Sequence, residues 1–380
     1  MINIVDKSQC CGCGACAQKC PKQCITMCGD EEGFLYPHVE ENLCINCGLC
    51  EKVCPVVNQY EEKKPLQVYA AKNPNEEIRL KSSSGGLFTM FAEYIINQGG
   101  FVFGAAFDEY WQVHHICIDK IEDIELLRGS KYVQSRIENT YKDAERLLKK
   151  GVLVLFSGTP CQISGLKHYL GKNYENLLTI DIVCHGVPSP LVWGKYQEYV
   201  LNNKYKLNDI KQISFRDKST GWCGYSFNIS GKNCKIVYEK ASKNLYMQAF
   251  LKNLSLRPSC YNCSARLGKC HSDITLGDFW GIWNYNSQFD DKKGVSMVLI
   301  HTPKALNMYQ KLNIDMIDAS YNMAIEGNPS LINETQYPKN RVQFWNCLYE
   351  NDFIVVQRFI QRMNPTIIQR IINKIQRIVK

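Results

Sequence analysis

At 380 residues and 45% apolar content, the chain has material for a sizeable core and is too long for a small ferredoxin alone; two or three domains are expected. Its formal charge is +8 with every Cys counted neutral, and no basic patch is interleaved with aromatics, so no nucleic-acid partner is expected. Twenty cysteines are many for such a chain, and their grouped spacing argues for metal ligation in a reducing cytosol, against a disulfide scaffold.

The opening MINIVDKSQ has no signal-peptide core, and no run approaches the roughly 20 apolar residues of a membrane span, so a cytoplasmic location is expected. The pattern C-x2-C-x2-C-x3-C-P follows at Cys10, Cys13, Cys16, Cys20 and Pro21, and recurs 34 residues later at Cys44, Cys47, Cys50, Cys54 and Pro55. A thiolate every third residue lets a short loop wrap three corners of one cubane, while the fourth Cys reaches the other cluster. Two [4Fe–4S] clusters are therefore expected, one on Cys10, Cys13, Cys16 and Cys54, the other on Cys44, Cys47, Cys50 and Cys20. Zinc sites pair two C-x2-C knuckles and need neither the third Cys nor the terminal C-P. Gly33 to Val39 reads as a short strand between the loops, giving an α+β ferredoxin-type domain over residues 1–58 and a charged linker over 59–66.

The texture then becomes α/β, with a mostly parallel or mixed sheet expected. Gln67 to Ala71 predicts a strand, Gly86 to Asn97 a helix stopped by Gly99–Gly100, and Phe101–Phe107 with Gln112–Ile118 a strand pair. Asn139 to Lys150 predicts an amphipathic helix. Gly151 to Phe156 and Leu177 to Val183 read as strands buried on both faces, with a helix to Leu170 between them: a βαβ unit whose functional loops lie at the strand carboxyl ends.

Cys161 and Cys184 each occupy a Gly/Pro-bearing turn directly after one of these strands, and Cys260-x2-Cys263 adds a pair from a loop headed by Arg257–Pro258. These four thiolates suffice for a third [4Fe–4S] cluster, in which Cys270 could replace one; the alternative is zinc on Cys260, Cys263, Cys270 and His271. Spacing alone does not separate the two. Cys117 and Cys347 are expected as buried structural thiols, Cys24 as a small core residue, Cys11 and Cys28 fall off the motif register, and Cys223 and Cys234 flank a strand pair. From Phe353 onward there is no acidic residue, and after Asn364–Pro365 isoleucines and basic residues segregate to opposite helical faces. Docking on the protein's own core is the favoured reading of this helix, contact with an anionic membrane surface the alternative.

Seven blocks, in order, carry a resemblance: Lys81–Gly86 (KSSSGG), Gly129–Ser135 (GSKYVQS), Ser157–Gln162 (SGTPCQ), Asp181–Pro188 (DIVCHGVP), Ser214–Asp217 (SFRD), Arg257–Cys263 (RPSCYNC) and Ser272–Gly281 (SDITLGDFWG). With the cysteine repeat they resemble the beta subunits of coenzyme F420 (deazaflavin) hydrogenases and dehydrogenases, in the bacterial form with a fused two-cluster ferredoxin domain. The resemblance implies an α/β part over residues 67–145, a flavin and iron–sulfur part over 146–315, and leaves 316–380 as a helical, basic extension. It implies FAD and tips the later cysteines toward a third cluster on Cys161, Cys184, Cys260 and Cys263, weakening Cys270 as a ligand. The Ser84–Gly85–Gly86 loop opening a helix suits a flavin pyrophosphate, because glycines permit close backbone approach and a helix N-terminus favours anions. Lys131 and Arg216 are expected as phosphate or substrate contacts and Thr159 as a further cofactor contact.

The expected function is an iron–sulfur flavoprotein oxidoreductase that trades electrons with a redox partner protein or small carrier, the flavin joining one-electron to hydride-type transfer. The alternative is an electron-relay subunit or adaptor with no substrate site of its own. His185, beside a predicted ligand, is expected to hydrogen-bond the cluster more than to move protons.

Overall fold

The computed structural model describes residues 1–351 and 353–363; the basic segment beginning at Asn364 lies outside the described residues. The cysteine repeat is a backbone repeat as well. Gly14 and Gly48, both left-handed at φ 71°, turn the chain into the short helices Ala15–Lys19 and Leu49–Lys52. Between them β1 (Ile25–Gly29) pairs antiparallel with β2 (Leu35–Val39), Ile25 opposite Val39. The first of these strands escapes sequence reading: five residues with one buried side chain give no periodic signal.

Eight strands then build one mixed sheet: β3 (Gln67–Lys72), β4 (Phe101–Phe107), β5 (Val113–Ile118), β6 (Val154–Gly158) and β7 (Leu177–Ile182) in its first run. After a separate antiparallel meander of β8 (Ile210–Asp217), β9 (Ser226–Gly231) and β10 (Lys235–Lys240), the chain returns with β11 (Ile274–Asp278), β12 (Ser296–Ile300) and β13 (Asp315–Asp318). The order is β13-β3-β12-β11-β7-β6-β4-β5. The four central strands β4, β6, β7 and β11 run parallel, and the flanking pairs are antiparallel. The mixed form of the expectation is thus the one observed.

The parallel centre follows from its sequence. In β6, Val154 and Phe156 enter one core with Tyr141, Ala144 and Leu148 of the helix Thr140–Lys149, while Leu155 enters the opposite core with Phe91 and Ile95 of the helix Leu87–Ile96. Each such side chain contributes about 1.5–3 kcal/mol when fully buried. The strand starts three residues later than predicted because Gly151 (φ 78°) and Val152 donate back to Leu148 and Leu147, capping the preceding helix. The helix Pro160–Leu170 joins β6 to β7; Thr159 and Gln162 form a capping box at its start, Pro160 holds its first turn, and Gly171 (φ 66°) ends it. Cys117 departs from expectation. It is exposed: β5 is the sheet's edge strand, and Cys117, near its end, is uncovered although Val113 and His115 on the same face are buried. Among the described residues no helix is long and apolar enough to cross a membrane.

Candidate metal and cofactor centre

The thiols of the two N-terminal motifs lie against one another. Cys16 faces Cys10, Cys54 and Cys50, Cys54 faces Cys10 and Cys50, and Cys13 faces Cys10 and Cys16. Burial and this crowding push Cys16 up to about 12. Cys20, from the first motif, instead lines a cavity of about 20 Å³ with Cys44, Cys47 and Cys50 of the second. Cys24 is buried, as expected of a small core residue, and its Sγ lies 3.3 Å from that of Cys20.

The later cysteines converge where parallel strands end. Cys161 follows β6 on the first turn of the helix Pro160–Leu170, Cys184 follows β7, and Cys260 and Cys263 come from the turn Pro258–Asn262 and its cap. Each of the four repels the other three, and all line one cavity of about 60 Å³. Burial first, then the neighbouring thiols, raise Cys184 and Cys263 and push Cys260 up to about 12. Four crowded, half-buried thiols that cannot readily ionise together become stable thiolates when cationic metal shares the site, so the donor set fits an iron–sulfur cluster. Among the described residues no three His, Cys, Asp or Glu close around a single ion. His271 turns toward the linker, stacking on Tyr60 at 4.5 Å and hydrogen-bonding the Glu61 carbonyl, while Cys270 faces Asp181 and Ser272. Cys11, off the motif register, lies against both Cys13 and Cys161.

The turn bearing Cys161 is fixed by a network that sequence reading did not find. His115, buried and held near a pKa of about 4 by desolvation, is neutral. Its Nε2 lies 3.0 Å from the Ser157 carbonyl, which can only accept, so Nε2 carries the proton and Nδ1 accepts from Ser135 Oγ at 2.7 Å. Gln162 donates to the Ser135 carbonyl and accepts from the Thr159 amide, and Thr159 Oγ1 lies 3.2 Å from Cys161 Sγ. His185 hydrogen-bonds Asn253 at 2.6 Å.

Two of the quoted blocks meet a further segment at the rim of the sheet. Ser83 Oγ accepts from the Ser130 amide at 2.8 Å, joining KSSSGG to GSKYVQS. Gly85 donates to Ser296 Oγ, and Gly86 (φ 84°) opens the helix Leu87–Ile96 without any side-chain cap, leaving its first amides available. Lys131 Nζ hydrogen-bonds the Arg128 and Gly129 carbonyls, both at 3.3 Å, and lies 5.8 Å from the Phe107 ring; desolvation lowers it to about 7. Arg216 is differently occupied. It pairs with Asp278, and its guanidinium lies 4.5 Å from the Tyr225 ring and 5.3 Å from that of Trp280. Lys218, two residues on, donates to the carbonyls of Arg79, Ser84 and Lys293 and so holds the Ser/Gly loop from beneath. A lone Lys in sequence carries no signal of such a role.

Comparison with known proteins finds two family matches along the chain. Residues 152–320 match the family described as the C terminus of the Coenzyme F420 hydrogenase/dehydrogenase beta subunit, and residues 9–58 match the 4Fe-4S dicluster domain. The Coenzyme F420-dependent sulfite reductase of Methanocaldococcus jannaschii is 28% identical over 219 residues, which cover 55% of this chain and 33% of that protein. The match thus spans about a third of that relative's length. A chain of the F420-reducing [NiFe] hydrogenase complex from Methanosarcina barkeri aligns with a TM-score of 0.49 at 18% identity, over 76% of this chain and 94% of that one. The matched stretch 152–320 opens just before β6, closes after β13 and contains all four later cysteines. The chain therefore carries a C-terminal domain of the coenzyme F420 hydrogenase/dehydrogenase beta-subunit family behind a 4Fe-4S dicluster domain.

Proposed function

We propose that the chain is an iron–sulfur flavoprotein oxidoreductase passing electrons between ferredoxin-type clusters and a flavin-linked hydride donor or acceptor, deazaflavin or another two-electron substrate. The observation that carries this reading is the convergence of Cys161, Cys184, Cys260 and Cys263 at the carboxyl ends of β6 and β7, in contact with the Cys10–Cys13 loop through Cys11. Cys10, Cys13, Cys16 and Cys54 would hold one [4Fe–4S] cluster, Cys44, Cys47, Cys50 and Cys20 a second, and the four later cysteines a third. Bound clusters supply single-electron transfer and bound FAD the two-electron, hydride-type exchange.

The chain's own residues bind, orient and shield. Lys131, with no carboxylate partner among the described residues, and the uncapped amides after Gly86 would take the flavin pyrophosphate. Lys218 and Ser296 hold that loop, and Arg216 contributes a charge-neutral wall with Asp278. His115, Gln162 and Thr159 fix the Cys161 turn, with the Thr159 hydroxyl toward the sulfur. Anaerobic purification followed by flavin extraction and iron, sulfide and zinc counts on one sample tests the reading. FAD with roughly twelve irons is expected. No flavin after reconstitution, or one zinc with about eight irons, would sink it. A relay role without a substrate site is the second reading, favoured by the match covering only 33% of the sulfite reductase, most of which has no counterpart in the matched stretch. Reduction by chemically reduced deazaflavin in the absence of any partner would exclude it.

A further inference from the structure

Five arginines are buried among the described residues: Arg79, Arg216, Arg257, Arg266 and Arg341. Arg79 pairs with Asp291, Arg216 with Asp278 and Arg341 with Glu32. Arg257 and Arg266 have no carboxylate partner among the described residues. Arg257, 0% exposed, donates Nε to the Cys10 carbonyl at 2.7 Å, Nη1 to Gln134 Oε1 at 3.0 Å and Nη2 to the Leu35 carbonyl at 2.9 Å. Arg266, 8% exposed, reaches the Ser330 carbonyl and Thr335 Oγ1, and its Nε has no partner. Both sit on the loop that carries Cys260 and Cys263, and both line the cavity of the inner thiols. The charge of Arg257 acts on Cys161 and Cys260, that of Arg266 on Cys184 and Cys263.

A buried cation satisfied only by neutral acceptors is costly unless an anion shares its surroundings. Among the described residues, the acidic groups that these two guanidiniums are seen to face are cysteine thiols and, for Arg257, the Tyr36 phenol, whose ring lies 4.2 Å away. We infer that Arg257 and Arg266 are the counter-charges of the inner thiolate set when it is loaded, and that Arg257 is shared with the first N-terminal set through Cys10. They are positioning residues, acting on the electron affinity of what the cysteines hold. A fixed positive charge favours the more negative, reduced state, so its loss disfavours uptake of one electron.

The inference rests on the three-cluster reading, and the test separates them. Redox titrations followed by EPR are made on the reconstituted full chain, with the inner signal assigned by its loss in Cys161→Ser. Arg266→Gln should lower the reduced-to-oxidised ratio of the inner signal about tenfold at a fixed poise, ~59 mV for one electron. Arg257→Gln should lower both the inner signal and the one from the Cys10 set, and leave the Cys20 and Cys44 set unmoved as an internal control. Arg257→Lys keeps the charge and should restore most of the shift. Full iron with unshifted potentials overturns the inference and spares the reading, whereas roughly eight irons in the wild type sinks the reading first. Should Arg257→Gln not assemble, Arg257→Lys must assemble with near wild-type potentials; failure of both makes the residue a neutral clamp and overturns its charge role.

Discussion

Two helix-interior glycines make a matched experiment on how tightly the N-terminal module is seated. Gly165 lies in the helix Pro160–Leu170, where a Cβ would come 2.8 Å from Cys13 Cβ, 2.9 Å from Cys13 Sγ and 3.0 Å from Tyr141 Oη. Cys13 and Tyr141 are both buried, so neither has an open side to yield toward. Gly194, in the helix Pro190–Leu201, would place a Cβ with nothing within 4 Å. Gly inside a helix costs about 1 kcal/mol relative to Ala, so Gly194→Ala should stabilise by about that amount. At Gly165 the same gain is set against overpacking of about 1–3 kcal/mol, leaving a net loss of roughly 0–2 kcal/mol. The two variants should therefore differ by about 1–3 kcal/mol although the chemical change is identical. Urea denaturation of both beside the wild type, compared at the midpoint with the slope checked for constancy, measures that difference. Equal stabilisation would refute the reasoning, because it would mean that the Cys13 loop moves aside freely.

Replacing Cys161 or Cys263 by Ser should remove about four of about twelve irons while sparing the N-terminal pair, and unchanged iron would refute the inner ligand set. Lys131, lowered to about 7 by desolvation, favours an anion while protonated; FAD affinity should be greatest below that pH and fall as pH rises through it. Lys131→Met should bind FAD weakly with a flat profile, and a wild-type profile flat from about pH 6 to about pH 9 would reject the assignment. Glu32 of the N-terminal module forms a bidentate pair with Arg341, their side chains 12% and 7% exposed. Glu32→Gln leaves a buried guanidinium unpaired, at a cost of about 3–5 kcal/mol in denaturation; a loss under about 1 kcal/mol would show the pair to be solvated.

What could be read in the sequence was local. The doubled cysteine spacing, the apolar runs of β6 and β7, and the cap signals at Thr159–Pro160 and Gly171 depend on neighbours a few residues away. Cys260 and Cys263 announce themselves as a pair for the same reason. Partnership between distant segments left no such trace. Arg216 and Lys218 look alike as bases at a strand end, yet one is neutralised by Asp278 and the other is held by three carbonyls. His115 reads as any histidine in a strand until Ser135 and Ser157 close on it. β13 gives no signal because it is only two adjacent apolar residues between two aspartates, mostly exposed, and only pairing with β3 makes them a strand. Arg257 and Arg266 are distinguished by carboxylates they lack, which no spacing records.

The loop from Arg257 to Arg266 joins three tasks that would otherwise be independent. It presents two inner thiols, supplies the two buried guanidiniums that have no carboxylate partner among the described residues, and grips the module through the Cys10 carbonyl. The linker rests on its continuation, the Lys63 amide donating to the Leu267 carbonyl and Tyr60 stacking on His271 with the tilted His168 ring 4.2 Å away. Without metal, the inner thiols repel if ionised and the two guanidiniums have no anion; with it, both costs are relieved at once. Loading should therefore tighten the whole joint, since what binds the docked state stabilises it. Trypsin cleavage after Lys63, compared in loaded protein and in protein stripped by a chelator under anaerobic conditions, reads this coupling. At least a roughly tenfold faster cut in the stripped protein is expected, ~1.4 kcal/mol of docking free energy. Equal rates would mean that the module stays seated on packing alone, and that the buried arginines are satisfied by their carbonyls.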